Sequence, residues 1–464
     1  MFDIAETTEA PQLAHADASL KQPATSIRRR VLNLAGPVIG ENFLETMLGV
    51  IDTLLVSGLG VVAIAGVGSA LQVMFFLISV LSALAIGSSV LVAQAFGAGD
   101  LKRSSQLARQ SLLWSVICSI PLAIVGYFLA GPAIGIYGVA PDVAQIGTQY
   151  LQVTMGTVVV LVALFIGGGV LRGAGDSRTP MVVTGVANVI NVGLAYSLIY
   201  GHFGLPALGA VGSAWATFIA RLIALVLLLG ALWQGRNGVT LRTGVSWRPN
   251  WAVARQILGI GVPAALEQTL VTAAFVVLTI VIAGLGTEVL AAHRIAFTAL
   301  SISFLPGIGF GIAATALVGQ SIGAKRLDEG AQAVRIATLW GAIWMGAIGA
   351  IFFVFAEPIF RLFTADQTVI DAGANGLRVV ALAQPFWAVL FVQAGALRGT
   401  GNTRFPLLVT GAGMWASVAL AFVLVKLTGG ALVAAWAAFL IIAPIMSLLM
   451  WRRFRATVAQ AGAS

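Results

Sequence analysis

Along the 464-residue chain, long apolar runs alternate with short polar, glycine-rich or charged breaks. A helix needs about 20 consecutive apolar residues to cross the hydrocarbon of a bilayer, and twelve runs of that kind can be laid along the sequence. They use nearly all of it. The pattern therefore predicts an all-α polytopic membrane protein with twelve transmembrane helices. Residues 1–27 stand apart: they carry acids and Lys21 but no apolar core, which fits a disordered cytoplasmic tail and not a cleaved signal peptide. A second polar stretch, residues 235–252, includes GRNGVTLRTGVSWRPN and reads as a turn-rich linker. It separates six runs in 28–234 from six in 253–464.

The two sets of six are copies. Sliding the chain on itself by 226 positions pairs Pro37 with Pro263, Glu41 with Glu267, Gln94 with Gln320, Gly97 with Gly323, Arg109 with Arg335 and Trp114 with Trp340. GVLRGAGDSRTPMVVTG, from Gly169, lies over GALRGTGNTRFPLLVTG, from Gly395. An apolar composition matches Leu with Ala by chance, but not Arg, Gln, Trp and Pro. Because each half holds an even number of spans, both enter the membrane from the same side, and their symmetry axis runs along the membrane normal. Two parallel-related six-helix bundles around a central cavity are expected. Such bundles can rock to expose a central site to either side in turn.

Composition confirms the solvent and sets the topology. Of all residues 59% are hydrophobic and 9% charged, with a mean hydropathy of +0.98, far from a soluble domain. The net charge of +9 does not point to nucleic acid, because the basic residues cluster at alternate span ends. With the N-terminus inside, 21 of the 26 Lys and Arg fall on the inner side. Arg294, Arg361 and Lys426 fall outside, and Arg221 and Arg378 within spans. The positive-inside rule then places both termini in the cytoplasm of a cell that carries the protein in its plasma membrane. The single Cys118 and the distant His15, His202 and His293 offer neither a disulfide framework nor metal-ligand spacing. No metal or organic cofactor is expected.

Thirteen of the 17 acids lie in tails or near span ends; Glu41, Glu45, Asp52 and Glu267 stand deep in apolar runs. An ionisable group there costs about 2.5–3.5 kcal/mol on insertion scales and marks function by default. Spacings of four and seven put residues 41, 45 and 52 within about 40° of each other on one helix face. Burial and like-charged neighbours favour the neutral acid, so proton exchange near neutral pH is expected. A site that holds a proton or a cation, but not both, is the minimum for antiport.

The repeated LRGxG(D/N)(S/T)RxP block, PVIGENFLETMLGVIDTLLVSGLG in the first span, VAQAFGAGD after the second and NVINVGLAYSLIYGHFGLPALGAVGSAWAT across the fifth and sixth together resemble the MATE (multidrug and toxic compound extrusion) family. The likeness runs from about Arg30 to Arg453, in both halves. It implies a V-shaped twelve-helix antiporter that exports amphipathic, often cationic organic compounds in exchange for H⁺ or Na⁺, and it looks closer to the DinF-like than to the NorM-like branch. Asp52 falls on the family's first-helix acid and Asn191 on its fifth-helix Asn, while Thr217 of the Ala216-Thr217 pair matches a sixth-helix Thr. Where DinF-like members often carry a second Asp, Ala195 stands here. Where NorM-like members carry a tenth-helix acid, the neighbourhood is Trp387.

Taken with the resemblance, these residues predict a proton- or cation-coupling site in the first half. Asp52 is the exchange group, Asn191 and Thr217 its hydrogen-bonding partners, and Glu41 and Glu45 supply the second charge. The second half has Leu278 at the position of Asp52, and Ser417 at that of Asn191, so it contributes Glu267 to the shared cavity. Phe275, Phe297, Phe310 and Trp387 are candidate contacts for aromatic or cationic ligands. Expected partners are small organic cations or drugs and the lipid bilayer, with the chain acting as a monomer. The alternative is a lipid-linked saccharide flippase, whose cavity should be basic and would draw on Arg221 and Arg378. No His, Cys or Ser constellation supports an enzyme, and a channel needs no rocking halves.

Overall fold

The computed structural model describes residues 27–242, 247–428 and 432–463. The tail expected over residues 1–27 lies outside the described residues except for Ile27, as does 243–246 in the linker. The helices are α1 Ile27–Ser57, α2 Val61–Gly97, α3 Leu101–Phe128, α4 Ala130–Gly135, α5 Pro141–Gly156, α6 Val158–Gly173, α7 Arg178–Tyr200 and α8 Ala210–Gln234 in the first half. The second half holds α9 Trp251–Ala283, α10 Thr287–Gly323, α11 Leu327–Val354, α12 Ala356–Arg361, α13 Gln367–Gly399, α14 Arg404–Thr428 and α15 Leu432–Ala463. Ten of these are long and apolar enough to cross a membrane, and α5 with α6, bent by 52° at Thr157, forms an eleventh span. The twelfth is α1, whose 31 residues reach about 46 Å at 1.5 Å per residue and which differs from the rest by its Arg28–Arg30 cluster and its three acids.

The internal repeat reappears in the helix boundaries. Helices α2, α3 and α4 begin and end 226 positions before α10, α11 and α12. The halves differ where the first breaks at Thr157 between α5 and α6, while α13 runs through the matching region with Pro385 inside it. The repeated glycine-rich block is the turn that ends the fourth and tenth spans. Gly175 at φ +82° and Gly401 at φ +85° take the left-handed conformation that glycine adopts freely. One residue on, Asp176 and Asn402 accept hydrogen bonds from the backbone N–H of Thr179 and Phe405, starting α7 and α14.

Each half has its own apolar core, with one exchange between them. Val31, Leu34 and Ala35 of α1 pack into the core of the second half, and Val253 and Ile257 of α9 into that of the first. The halves therefore interlock at the end that carries both termini and most of the Lys and Arg. There α2 and α10 cross so closely that a Cβ on Gly97 would sit 1.9 Å from the Gln320 carbonyl oxygen, and one on Gly323 would sit 1.9 Å from that of Gln94. Two-fold related bonds tie the crossing. Gln94 Nε2 donates to Gly399 O at 3.1 Å and Gln320 Nε2 to Gly173 O at 2.9 Å. Further out, Arg30 meets Glu329 at 3.3 Å and Arg103 donates to Gln256 at 3.3 Å, again a symmetric pair of pairs. Beyond Ile39, which touches Gly309 of α10, α1 exposes Phe43, Met47, Val50 and Leu54.

Candidate functional site

The acid face of α1 meets a different partner at each level. Nearest the basic end, Arg172 Nη1 at the end of α6 donates to both carboxylate oxygens of Glu41, at 3.1 and 2.9 Å. One turn further, Glu45 is exposed and lies within electrostatic reach of Glu41, Arg172 and Arg221. Since these cations come from α6 and α8 of the same half, Glu45 faces inward and not toward lipid. Two turns beyond, Asp52 sits beside the Ser213 and Thr217 hydroxyls, with Arg221 in electrostatic reach. Ser213, Thr217 and Arg221 recur every four residues, so α8 presents them as one ladder. The two helices run antiparallel, which sets the hydroxyls at the level of Asp52 and the guanidinium nearer Glu45.

Around Asp52 the polar groups are hydroxyls and an amide, able to donate as well as accept. Asn191, buried on α7, donates from Nδ2 to Thr217 Oγ1 at 3.0 Å. Its Oδ1, Asp52 Oδ1 and the Ser213 hydroxyl are buried without a hydrogen-bond partner. Tyr150 of α5, fully packed, adds its hydroxyl beside Ser213 and Asp52. Buried polar groups are normally paired, because an unmet acceptor costs about 1–3 kcal/mol. A proton on Asp52 would add one donor to this group, and a small cation there would be met by several oxygens at once. Thr217 and Arg221 also line a small cavity with Thr154, Thr157, Val160, Leu161, Ala214 and Phe218, directly where the bend at Thr157 opens the fourth span.

The second half holds a matching ion pair and an aromatic cluster. Glu267, 3% exposed, pairs with Arg398 at 2.9 Å, repeating Glu41 with Arg172, although here the groups do not align as a hydrogen bond. Phe275 and Phe297 pack edge to face at 5.3 Å, and Phe275 stacks on Phe439. Trp387, 3% exposed, packs among Phe304, Phe391 and Phe439. Phe310, 7% exposed, lies against Gly341 of α11. Phe310 and Trp387 are thus built into the core of the second half and not onto its open face, whereas Phe297 is exposed. Arg378 is not a free cation either: it pairs with Glu357 at 3.0 Å near the opposite end.

The structure brings Asp52, Asn191 and Thr217 together, adds Glu45 through Arg221, and sets Glu41 and Glu267 apart in ion pairs. The sequence did not point to Tyr150 and Ser213, nor to the pairing of Arg172 and Arg398 with the acids of α1 and α9. The four-residue spacing of Ser213, Thr217 and Arg221 was the available signal for the first helix face; nothing in the sequence linked Arg172 to Glu41, 131 positions away.

Comparison with known proteins supplies the family. The MatE family model matches twice, over residues 37–197 and 263–423, one match in each half and 226 positions apart. A probable multidrug resistance protein NorM of Thermotoga maritima is 32% identical over 90% of this chain and 89% of its own. Multidrug resistance protein PmpM of Pseudomonas aeruginosa is 29% identical over 83% of this chain and 81% of its own. Among solved structures, an outward-facing multidrug resistance MATE transporter of the MOP superfamily superposes with a TM-score of 0.88 at 21% identity, covering 99% of this chain and all of that one. A transporter of that superfamily from Pyrococcus furiosus, described as having a binding pocket of reverse polarity, gives 0.87 at the same identity and coverage. The doubled architecture and the doubled family match together make this chain a member of the MATE family, a multi-pass membrane transporter and not an enzyme.

Proposed function

We propose that this transporter is a secondary antiporter that exports amphipathic organic cations, drugs among them, in exchange for H⁺ or Na⁺. The observation that carries the reading is the set of unpartnered oxygens around Asp52: Asp52 Oδ1, Asn191 Oδ1 and Ser213 Oγ are buried with no aligned hydrogen-bond partner. A Na⁺ on Asp52 would be met by several of these oxygens, a proton there gives one of them a donor, and an organic cation reaching the carboxylate competes for the same charge. The names of the relatives, multidrug resistance proteins, support the cargo class. Coupling from the first half follows the DinF-like pattern, although the relatives named above include a NorM protein.

The basic end is the cytoplasmic one by the positive-inside rule, so both termini lie inside, in the plasma membrane, and the interlock of α2 with α10 closes the cytoplasmic side. In that state the Asp52 face opens outward, where a proton or Na⁺ loads and cargo leaves. Opening the interlock exposes the face to the cytoplasm, where the ion leaves and cargo loads. The chain works as a monomer, because each half supplies its own core and the exchange site lies within one half. The flippase alternative lacks its basic cavity, since Arg378 is paired with Glu357 and Arg221 faces two carboxylates.

The test is uptake of a fluorescent organic cation by proteoliposomes, with pH and Na⁺ gradients imposed separately. Transport driven by one of the two is the expected result. Equal uptake with and without both gradients removes the antiport reading.

A further inference from the structure

Helix α1 lies along α7 in parallel, Gly40 beside Met181, Leu44 beside Gly185 and Gly58 beside the Tyr200 hydroxyl. Two side chains of α7 donate into the backbone of α1. Asn188 Nδ2 donates to Leu44 O at 2.7 Å, and Tyr200 Oη donates to Leu55 O at 2.6 Å. Leu55 O is among the last carbonyls of α1, which a helix leaves without an internal partner, and the Leu59 N–H bonds to Val56 O instead at 3.0 Å. The two bonds bracket Asp52 on one helix and Asn191 on the other.

A bond that served packing alone should recur in both halves, as the crossing of α2 with α10 does. In the second half α9 packs on α14 in the same way, with Leu270 against Gly411. Yet Met414, which has no donor, stands at the position of Asn188. Lys426 stands at that of Tyr200, its ammonium 4.4 Å from the Phe422 ring centre. Leu278 replaces Asp52 there. Both donors are thus present in the half that has the exchange carboxylate, and neither is conserved in the half that lacks it.

We propose that Asn188 and Tyr200 are positioning residues, which pin α1 to α7 so that Asp52 stays turned toward Ser213 and Thr217 while the halves rock. This rests on the exchange reading above and adds the residues that hold its site in register. The need arises because α1 is shared: Val31, Leu34 and Ala35 belong to the core of the second half, so parting the halves pulls on the helix that carries Asp52. A turn of one residue about the axis is about 100°, enough to take the carboxylate away from both hydroxyls. Two attachments on one neighbour oppose that rotation. Helix α9 is shared in the same manner, but its Leu278 has no partner to keep.

The experiment uses the full-length protein in proteoliposomes and uptake of a fluorescent organic cation, with whichever of H⁺ and Na⁺ drives wild type. Tyr200→Phe removes only the hydroxyl and keeps the ring on Tyr196, 5.5 Å away. Asn188→Leu removes the other donor at similar size. An α1 that presents Asp52 for only part of the time changes the apparent affinity for the coupling ion by that fraction, and saturating ion restores the rate. Each variant should therefore raise half-saturating Na⁺ by about threefold to tenfold, or move the midpoint of the pH profile by about half to one unit, with the maximal rate kept. The clamps lie about 16 Å apart along α1, so the two effects should multiply in the double variant. Ser447→Ala is the control for general loosening: it removes a bond of the same kind, 2.7 Å from Ser447 Oγ to Phe386 O, in the second half. Its half-saturation should equal that of wild type. If Asn188→Leu does not fold, Tyr200→Phe decides the matter alone. Unchanged half-saturation in the clamp variants, a loss of maximal rate alone, or an equal shift in Ser447→Ala each overturns the positioning role. A wild type driven by neither gradient defeats the exchange reading instead.

Discussion

Substituting Gly323 by Ala tests the closure of the basic end. The added Cβ would stand 1.9 Å from the backbone carbonyl oxygen of Gln94, where carbon and oxygen need well over 3 Å. Both groups belong to helix backbones, so α2 and α10 must part by more than about 1 Å. That displacement takes with it the bonds from Gln94 to Gly399 and from Gln320 to Gly173. Each is worth about 0.5–1.5 kcal/mol, so the closed state loses about 1–3 kcal/mol, which shifts a two-state equilibrium by about 5- to 150-fold. Val90, on α2 at the same interface and fully buried, reports the opening when changed to Cys in a background with the exposed Cys118 replaced by Ser. Maleimide labelling of that position should speed up by the same factor in Gly323→Ala. Gly97→Ala, its symmetric counterpart, should act alike. Unchanged labelling in a variant that elutes as a folded protein would refute the claim that this crossing holds the halves together.

Other perturbations follow from the same geometry. Arg398→Ala strands the buried Glu267 carboxylate, and losing one partner of a buried pair costs about 3–5 kcal/mol; thermal unfolding in detergent should fall clearly, and Arg398→Gln combined with Glu267→Gln should recover most of the loss. Asn191→Ala removes the donor to Thr217 and one acceptor near Asp52. The half-saturating concentration of the coupling ion should then change by about fivefold, corresponding to about 1 kcal/mol, with the protein still folded by size-exclusion chromatography.

How far the sequence alone leads depends on whether a residue acts within its own helix or across to another. The duplication was legible because matched Arg, Gln, Glu and Gly residues do the same work twice: Gln94 and Gln320 reach each other's half, and Gly97 and Gly323 make the same approach. Asp52 announced itself as a carboxylate in hydrocarbon. The partners of the acids were less legible. Glu41 and Arg172 are 131 positions apart, and spacing along a chain says nothing about contacts between distant helices. Aromatic residues posed a different problem. Phe310 and Trp387 belong to the core, while Phe297 is exposed, yet all three sit in uniformly apolar runs, where periodicity does not separate a packed face from an open one.

In the proposed exchange, Asp52 is the group that binds and releases the coupling ion. Replacing it with Asn keeps the size and the hydrogen-bonding capacity but leaves no group to ionise. Driven transport of a fluorescent organic cation by the reconstituted Asp52→Asn protein should drop to the level of empty liposomes, under a pH gradient and a Na⁺ gradient alike. Wild-type rates in that variant would mean that the coupling charge lies elsewhere.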